Sequence, residues 1–443
     1  MCRPATRGPL PLPSRSWSPI PSGGRPSGPP GGIAISSALL STAWSPRRWL
    51  SSRKRPAQPR RRSLSVPDRP PERILVVKLS ALGDILFATP ALRALRQTYP
   101  AATLHFLVAR SCRGIIQTNP HLDAVLVAPD LGAGRSLPGR LSESSALLRL
   151  LWQLRRGGYD TALLMHRSPW FGVLTALAGI PRRIGFVTAG PSRWLTTSVR
   201  FDLRRHRIDR HFDLVRPLGV VPGDPALEFA VPAADHLWAR SWLVSHGWRG
   251  EPLIASSPGG GRNAWTAMPN RRWPAERFLA LYNALSRHFA ARLLLIGDRH
   301  DRTLIEMLRP ALRSTPLVAA GETTLAQTAA LLAASRVYIG IDSAPLFLAA
   351  AVGTPTVGLF GPTDARVIMP LGPSHIALQG SVPCGPCYNP IHGLSGLAYT
   401  CPLNRCMQEI SVNLITAQVE RLWRGERPGP VILTTAGRQL AAS

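Results

Sequence analysis

Four stretches of this chain carry residue types and spacings that could do chemistry. The first is Asp342-Ser343-Ala344-Pro345, directly after the apolar run Val337-Tyr338-Ile339-Gly340-Ile341. That run of β-branched and aromatic residues suits a strand buried on both faces. Asp342 or Ser343 can cap the helix that follows, and Pro345 fits a first helical position. The helix expected over residues 346–352 is apolar all round, hence buried. Gly353-Thr354-Pro355 ends it, and residues 356–360 form a second buried strand. A helix N-terminus opening past the carboxyl end of a parallel strand is a prepared anion site, because unpaired N–H groups and the helix dipole both point there. A purely structural strand–helix–strand unit with an ordinary cap reads the same way. The second stretch is the loop Lys78-Leu79-Ser80-Ala81-Leu82-Gly83-Asp84, leaving the strand Ile74-Leu75-Val76-Val77. The third is the loop Ser257-Pro258-Gly259-Gly260-Gly261 after another short apolar strand. The fourth is a cysteine cluster, Cys384, Cys387, Cys401 and Cys406, with spacing C-x2-C-x13-C-x4-C. Four thiols at that spacing can hold a structural zinc; reduced loop thiols or two disulfides are the alternatives.

The elements that must position these loops form two similar α/β halves. With 443 residues and 45% apolar content the chain can fill two sizeable cores. It contains no uninterrupted apolar run of about 18 residues, the length a membrane-spanning helix needs. Residues 1–70 read as a disordered Arg/Pro/Ser-rich tail, with twelve Arg and one Lys up to Arg69 against the single acid Asp68. A leader, a basic tail or an extension without function are its three readings. Residues 71–225 alternate short buried strands with helices, as in a doubly wound sheet. Residues 132–145 read as polar loop. The basic amphipathic helix over 146–156 reads as a sheet-covering helix with a solvated edge; a membrane-surface helix is the competing reading. A Pro-rich junction follows, with a helix expected near 238–246. Residues 250–425 repeat the alternation and include the Cys-rich loop at 384–406. Two such halves leave a cleft between them, and sites in open α/β sheets lie at the strands' carboxyl ends. The formal net charge of +29 favours anionic partners.

Three of the stretches together resemble glycosyltransferase family 9, whose best-known members are ADP-heptose:lipopolysaccharide heptosyltransferases. ILVVKLSALGDILFATPALRALRQTYP is similar to the family's opening strand–loop–helix. SPGGGRNAWTAMPNRRWPAERF resembles its glycine loop and basic-x-Trp-Pro element. DSAPLFLAAAVGTPTVGLFGPTD resembles its donor-phosphate signature. The resemblance implies a GT-B fold of two facing Rossmann-like domains with parallel sheets. It places the acceptor on residues 71–225 and the nucleotide-sugar donor on 250–425.

It further implies an inverting, metal-independent glycosyltransferase that moves a heptose-like sugar from an ADP-heptose-like donor to an anionic lipopolysaccharide-type glycolipid. Asp84 would be the base, with a plain helix cap as its other reading. Lys78, Ser80 and Gly83 fall on the acceptor side. Gly259, Gly260, Arg271, Asp342, Ser343, Ala344 and Pro345 fall on the donor side, with Arg262 and Arg272 as alternatives to Arg271. No cofactor is required on this reading, and a structural zinc at the cysteines stays one option among those given above. The expected setting is cytoplasmic, with peripheral association at the inner membrane face and no nucleic-acid partner. Two departures stand out: Ala344 replaces the family's usual glycine, and Phe347 its usual histidine. Two other functions stay open, the first because of these departures. One is a catalytically decayed scaffold that binds nucleotide or glycan. The other is a sugar-nucleotide epimerase using His166 and His211.

Overall fold

The computed structural model describes residues 69–129, 137–188, 190, 192–261, 268–388, 401 and 404–440, with backbone alone for 137–144. The tail up to residue 68 and Arg262 lie outside the described residues. The first sheet contains β1 (Arg73–Val77), β2 (Thr103–Ala109), β3 (Ala124–Ala128), β4 (Thr161–Leu164), β5 (Arg182–Val187) and β6 (Thr197–Arg200). Their spatial order is β3-β2-β1-β4-β5-β6, and every pairing is parallel. In β1 the four residues Ile74 to Val77 are fully buried, as a strand covered on both faces requires.

The second sheet contains β7 (Leu253–Ser257), β8 (Arg292–Leu295), β9 (Leu317–Val318), β10 (Val337–Ile341), β11 (Thr356–Phe360), β12 (His375–Gln379), β13 (Val431–Thr434) and β14 (Gln439–Leu440). Its order is β14-β13-β12-β11-β10-β7-β8-β9, parallel except where β14 turns back on β13. These last two strands lie beyond residue 425, where the sequence reading closes the second half. The glycines and charges of 424–429 look like an end, yet they form a turn that carries the chain back to the sheet edge.

Strand order creates one crevice per sheet. The chain leaves β1 toward β2 and β4 toward β5, on opposite sides, so the loops after β1 and β4 part above the sheet. The loops after β7 and β10 part in the same way. Such switch points are where open α/β sheets bind ligands. The helices that carry this geometry are α1 (Leu82–Leu86), α2 (Thr89–Thr98), α3 (Leu137–Arg156), α4 (Trp170–Leu177), α5 (Arg207–Val215), α6 (Ala233–Ser245), α7 (Ala275–His288), α8 (Arg299–Leu308), α9 (Leu325–Ala333) and α10 (Ala344–Ala351).

Several elements depart from expectation. Helix α1 starts at Leu82, so Asp84 lies in a helical first turn, not in the loop. Helix α3 begins inside the segment read as polar loop. Helix α6 starts directly after Pro232, whose extended backbone leads into it. Strand β6 carries no clear sequence signal, whereas helix α5, absent from the expectation above, is amphipathic and buries Ile208, Phe212 and Val215. The polar strand TSVR sits on the sheet edge, half exposed along its length. Helix α10 takes in Ala344 and Pro345, putting Pro345 at its second residue.

The two halves share a core. One apolar cluster runs from Ile74 and Leu86 through Phe87 and Phe347 to Ala255 and Leu294. Phe87 and Phe347 meet at 4.7 Å between ring centroids, joining α1 to α10. A Cβ on Gly83 would lie 2.7 Å from the Phe347 ring, so α1 needs glycine there to approach α10. The Phe229 N–H donates to the Ala351 carbonyl at 3.0 Å, tying the junction to the second half.

Candidate active site

Asp84 stands over the first crevice. Its Oδ1 accepts from Arg207 Nη1, and its Oδ2 lies 3.5 Å from Lys78 Nζ. No side chain caps α1, so the reading of Asp84 as a helix cap fails. Burial pushes its pKa up, but Arg207 and then Lys78 and His211 outweigh that and hold the carboxyl well below the ordinary carboxylate range. A third of the side chain remains open to solvent, which weakens the burial contribution and leaves the cations in control. Lys78 is itself buried, and its pKa is lowered, chiefly by that burial. Ser80 is half-buried where the loop turns into α1.

Arg207, the first residue of α5, was not singled out by sequence reasoning. It lies 123 positions from Asp84, and only the fold joins them. Burial works against its charge, but Asp84 and then Asp342 outweigh this and raise its pKa. One guanidinium therefore feels a carboxylate from each half. His206 caps α5: its Nδ1 accepts the Ile208 N–H, so its Nε2–H donates to the Met369 carbonyl at 2.9 Å, spanning the halves again.

The second crevice holds the other predicted residues. Ser343 occupies the N-cap of α10, yet its side chain does not cap; its hydroxyl donates back to the Ile341 carbonyl at 3.3 Å. The first amides of α10 thus have no side-chain cap. Ala344 and Pro345 follow at the helix start, half-buried. Asp342 is 2% exposed, with its Oδ2 3.4 Å from Arg271 Nη1 and accepting no hydrogen bond. Buried Arg271 Nε and Thr363 Oγ1 also lack hydrogen-bond partners. The Tyr388 ring lies 4.9 Å from the Arg271 guanidinium carbon. Arg271 reaches this spot because buried Trp273, two residues on, is anchored by donating to the Ile410 carbonyl at 3.1 Å. Arg272 instead donates to the Gly260 carbonyl at 2.9 Å, so it braces the glycine loop and does not face the crevice as Arg271 does.

The glycine loop has a different first duty from the one its composition suggests. The Gly260 N–H donates to Asp301 Oδ1 at 3.0 Å, so that amide is taken by the chain itself. A Cβ on Gly259 would fall 1.7 Å from the same oxygen, and Gly260, with φ of +92°, packs against Ser343. The glycines allow Asp301 and the start of α10 to close on the loop.

Between the crevices lies a cavity of about 500 Å³ lined by Arg204, Arg207, Arg210, Arg366, Thr363 and Tyr388, among others. Arg210 is 6% exposed, and its pKa drops to about 10 through burial and the neighbouring Arg207. Asp84 offsets Arg207, Asp364 offsets Arg366 and Asp202 offsets Arg204, so the positive charge that Arg210 adds is what remains.

His166 and His211 are not set up as an acid–base pair. Burial lowers their pKa values to about 4 and about 3, so both are neutral at pH 7. His166 Nδ1 accepts the Ser168 N–H, and His211 Nδ1–H donates to the Phe87 carbonyl. Phe347 also departs from expectation: it fills the contact between the halves and takes no place on the donor side. As for the cysteines, Cys384 and Cys387 are exposed, Cys401 and Cys406 are half-buried, and all four are free thiols. Among the described residues no three His, Cys, Asp or Glu side chains come together to hold a metal. Burial, reinforced by the neighbouring Cys387, Cys401 and Cys384, raises the Cys406 thiol to about 11. What the loop does contribute is Tyr388, whose N–H donates to the Pro362 carbonyl at 2.8 Å.

Comparison with known proteins gives the family and the fold. A family model described as Glycosyltransferase family 9 (heptosyltransferase) matches residues 147–392. Lipopolysaccharide heptosyltransferase 3 of Escherichia coli K12 is 25% identical over 292 residues, covering 64% of this chain and 80% of that protein. A glycosyl transferase family 9 structure from Veillonella parvula superposes with a TM-score of 0.68 at 23% identity, covering 80% of this chain and 98% of the other. The structure of Escherichia coli ADP-heptose lps heptosyltransferase II gives 0.63 at 20% identity, covering 80% and 99%. The fold these neighbours share is GT-B.

Proposed function

The chain belongs to glycosyltransferase family 9, and from that membership we propose that it transfers a heptose from a nucleotide donor to an anionic glycolipid of the lipopolysaccharide type, with inversion at the anomeric carbon. The observation that carries the mechanism is one carboxylate–arginine pair in each half: Asp84 with Arg207 in the first, Asp342 with Arg271 at 3.4 Å in the second. The heptosyl donor is supported by the family description and by the name of the curated relative.

In this reading the donor diphosphate lies against the start of α10 and Arg271, with Asp342 toward the sugar or ribose. The acceptor enters the arginine-lined cavity. Its hydroxyl oxygen attacks the anomeric carbon, and the bond from that carbon to the diphosphate oxygen breaks. The electron pair stays on the diphosphate, where Arg271 and the α10 amides neutralise it. The hydroxyl proton passes to Asp84. Because arginines and helix amides supply the positive charge, the reaction needs no metal.

The ion pairs of Asp84 give the unliganded site a weak base, since a carboxylate held far below its usual pKa binds a proton poorly. An acceptor anion competing for Arg207 would loosen that pair and raise the basicity of Asp84 as substrate docks. Reaction at the inner face of the cytoplasmic membrane is part of the proposal. Among the described residues no helix is long and apolar enough to cross a membrane.

The test is Asp84→Asn. Loss of a general base lowers kcat by about 10²–10⁴-fold, while the melting-point rise on adding ADP-heptose should persist, since a ligand stabilises by mass action whether or not it reacts. Unchanged turnover in that variant rejects Asp84 as the base. If GDP-, UDP- or dTDP-sugars shift the melting point and ADP-heptose does not, the ADP-linked donor is wrong.

A further inference from the structure

Helix α3 covers the first sheet with Leu150 and Leu154, both buried, and turns a very different face outward. Leu148 is 66% exposed and Trp152, one turn on, 58%. Neighbouring α4 adds Trp170 at 41% and Leu177 at 53%. Half of the eight strongly exposed large apolar residues among the described ones therefore sit on these two adjoining helices. Exposed Arg149, Arg155 and Arg156 accompany them, and the Arg156 guanidinium lies 3.9 Å from the Trp152 ring centre. From Ser145 to Arg200 the sequence holds eight Arg and one acid, Asp160. That acid accepts from the Glu72 and Arg73 amides at the opposite, amino end of β1.

We infer that the outward face of α3 and α4 is a docking surface for an anionic phospholipid bilayer. Tryptophan and leucine beside arginine are the composition that settles at a membrane interface, the rings and alkyl groups among the upper acyl chains and the guanidinium groups on lipid phosphates. Arginine stacked over Trp152 keeps its charge outward while the ring enters the apolar layer. A second copy of the chain would bring the same one-signed charge to the contact and be repelled. A bilayer with acidic headgroups supplies both the opposite charge and the apolar layer.

The placement also fits. Helix α4 begins three residues after Arg167, on the loop leaving the carboxyl edge of β4, and Arg167 is near enough to Lys78 to lower its pKa. The docking face thus starts at the rim of the crevice that holds Asp84. This inference does not rest on the proposed reaction, and its test uses neither donor nor turnover.

The full chain is mixed with phosphatidylcholine vesicles with and without phosphatidylglycerol, and binding is read by co-sedimentation. Hydrogen–deuterium exchange locates the contact. The expected result is binding to the acidic vesicles, weaker by about tenfold or more without phosphatidylglycerol, with new amide protection over 145–156 and 170–177. Leu148→Ser with Trp152→Ser should lose about tenfold or more in vesicle affinity while the melting point holds, since both side chains already face solvent. Should that pair impair folding, Arg155→Glu with Arg156→Glu reads the same face through its charge. Three results overturn the inference: variants that bind like the parent chain, protection confined to other segments such as residues 1–68, or a dimer in gel filtration that the Leu148/Trp152 variant splits.

Discussion

The two crevices hold the same kind of pair, an aspartate with an arginine, in opposite states. In the first, Asp84 is engaged on both oxygens, by Arg207 and by Lys78, and Arg207 is committed to it. In the second, Asp342 and Arg271 face each other at 3.4 Å without hydrogen-bonding geometry, and Arg271 Nε and Thr363 Oγ1 nearby are unpartnered as well. Buried polar atoms left unsatisfied in a native fold ask for an explanation. On the function proposed above, the explanation is a ligand bearing anionic oxygens and hydroxyls. The first crevice is satisfied by its own chain and must be opened by substrate; the second is built around groups that a substrate completes. A diphosphate bound at the second site and an acceptor loosening the first give a natural order, donor before acceptor.

The contrast breaks most sharply at Arg271. If its unpaired guanidinium edge serves the leaving diphosphate, Arg271→Ala should lower kcat by about 10²–10³-fold, the usual loss on removing one preorganised charge-stabilising donor. Arg272→Ala should cost far less in kcat and act through stability, because Arg272 holds the Gly260 carbonyl. Equal kinetic losses for the two would erase the distinction between a residue facing the site and one bracing it.

Arg207 sharpens the other side. It holds the Asp84 pKa down, so the acid limb of the kcat/KM profile should lie below the ordinary Asp value of about 3.9. Arg207→Gln removes the largest of the charge contributions, leaves burial pushing upward, and should move that limb to higher pH. The linkage has the matching sign. A depressed carboxylate pKa stabilises the fold above the unfolded value and loses that contribution as pH falls through the folded one, so the variant's stability should respond less to acid. An unmoved acid limb would mean that Asp84 is not the titrating base.

Much of this was legible in the sequence because it is local. Buried parallel strands announce themselves as short apolar runs, and the residues that follow β1, β7 and β10 must then lie on the loops at the carboxyl edge. That reasoning placed Asp84, Gly259, Asp342 and Ser343 at the crevices without any structure. What escaped it depends on contacts between distant segments. Arg207 is one arginine among 53 basic residues, and nothing in RRHRIDRH marks it as the partner of an aspartate 123 positions earlier. The glycine loop reads as a phosphate cradle until Asp301, from α8, occupies its amide.

Phe347 is the residue whose meaning changed most, and it supports the smallest and most specific prediction. Read along the chain it is a missing polar group in a donor pocket; in the fold it is the plug between α1 and α10, 4% exposed against Phe87 and Gly83. Gly83 lies within α1 at an ordinary helical φ, so alanine is acceptable to the backbone and clashes only with the Phe347 ring. Gly83→Ala should force α1 and α10 apart and shift Asp84 from the second crevice, lowering kcat by about tenfold with little change in donor affinity, since near-attack geometry is sensitive to displacements of an ångström. Phe347→Ala alone should leave a cavity and cost about 3–5 kcal/mol of stability. Combined, the two changes should relieve each other: the new methyl enters space the ring has vacated, and kcat recovers most of what Gly83→Ala lost. A strictly local role for Gly83 predicts no such recovery, because removing a ring from the other half cannot repair a defect confined to α1. Comparing kcat in the single and double variants therefore measures whether this contact sets the separation of the two carboxylates.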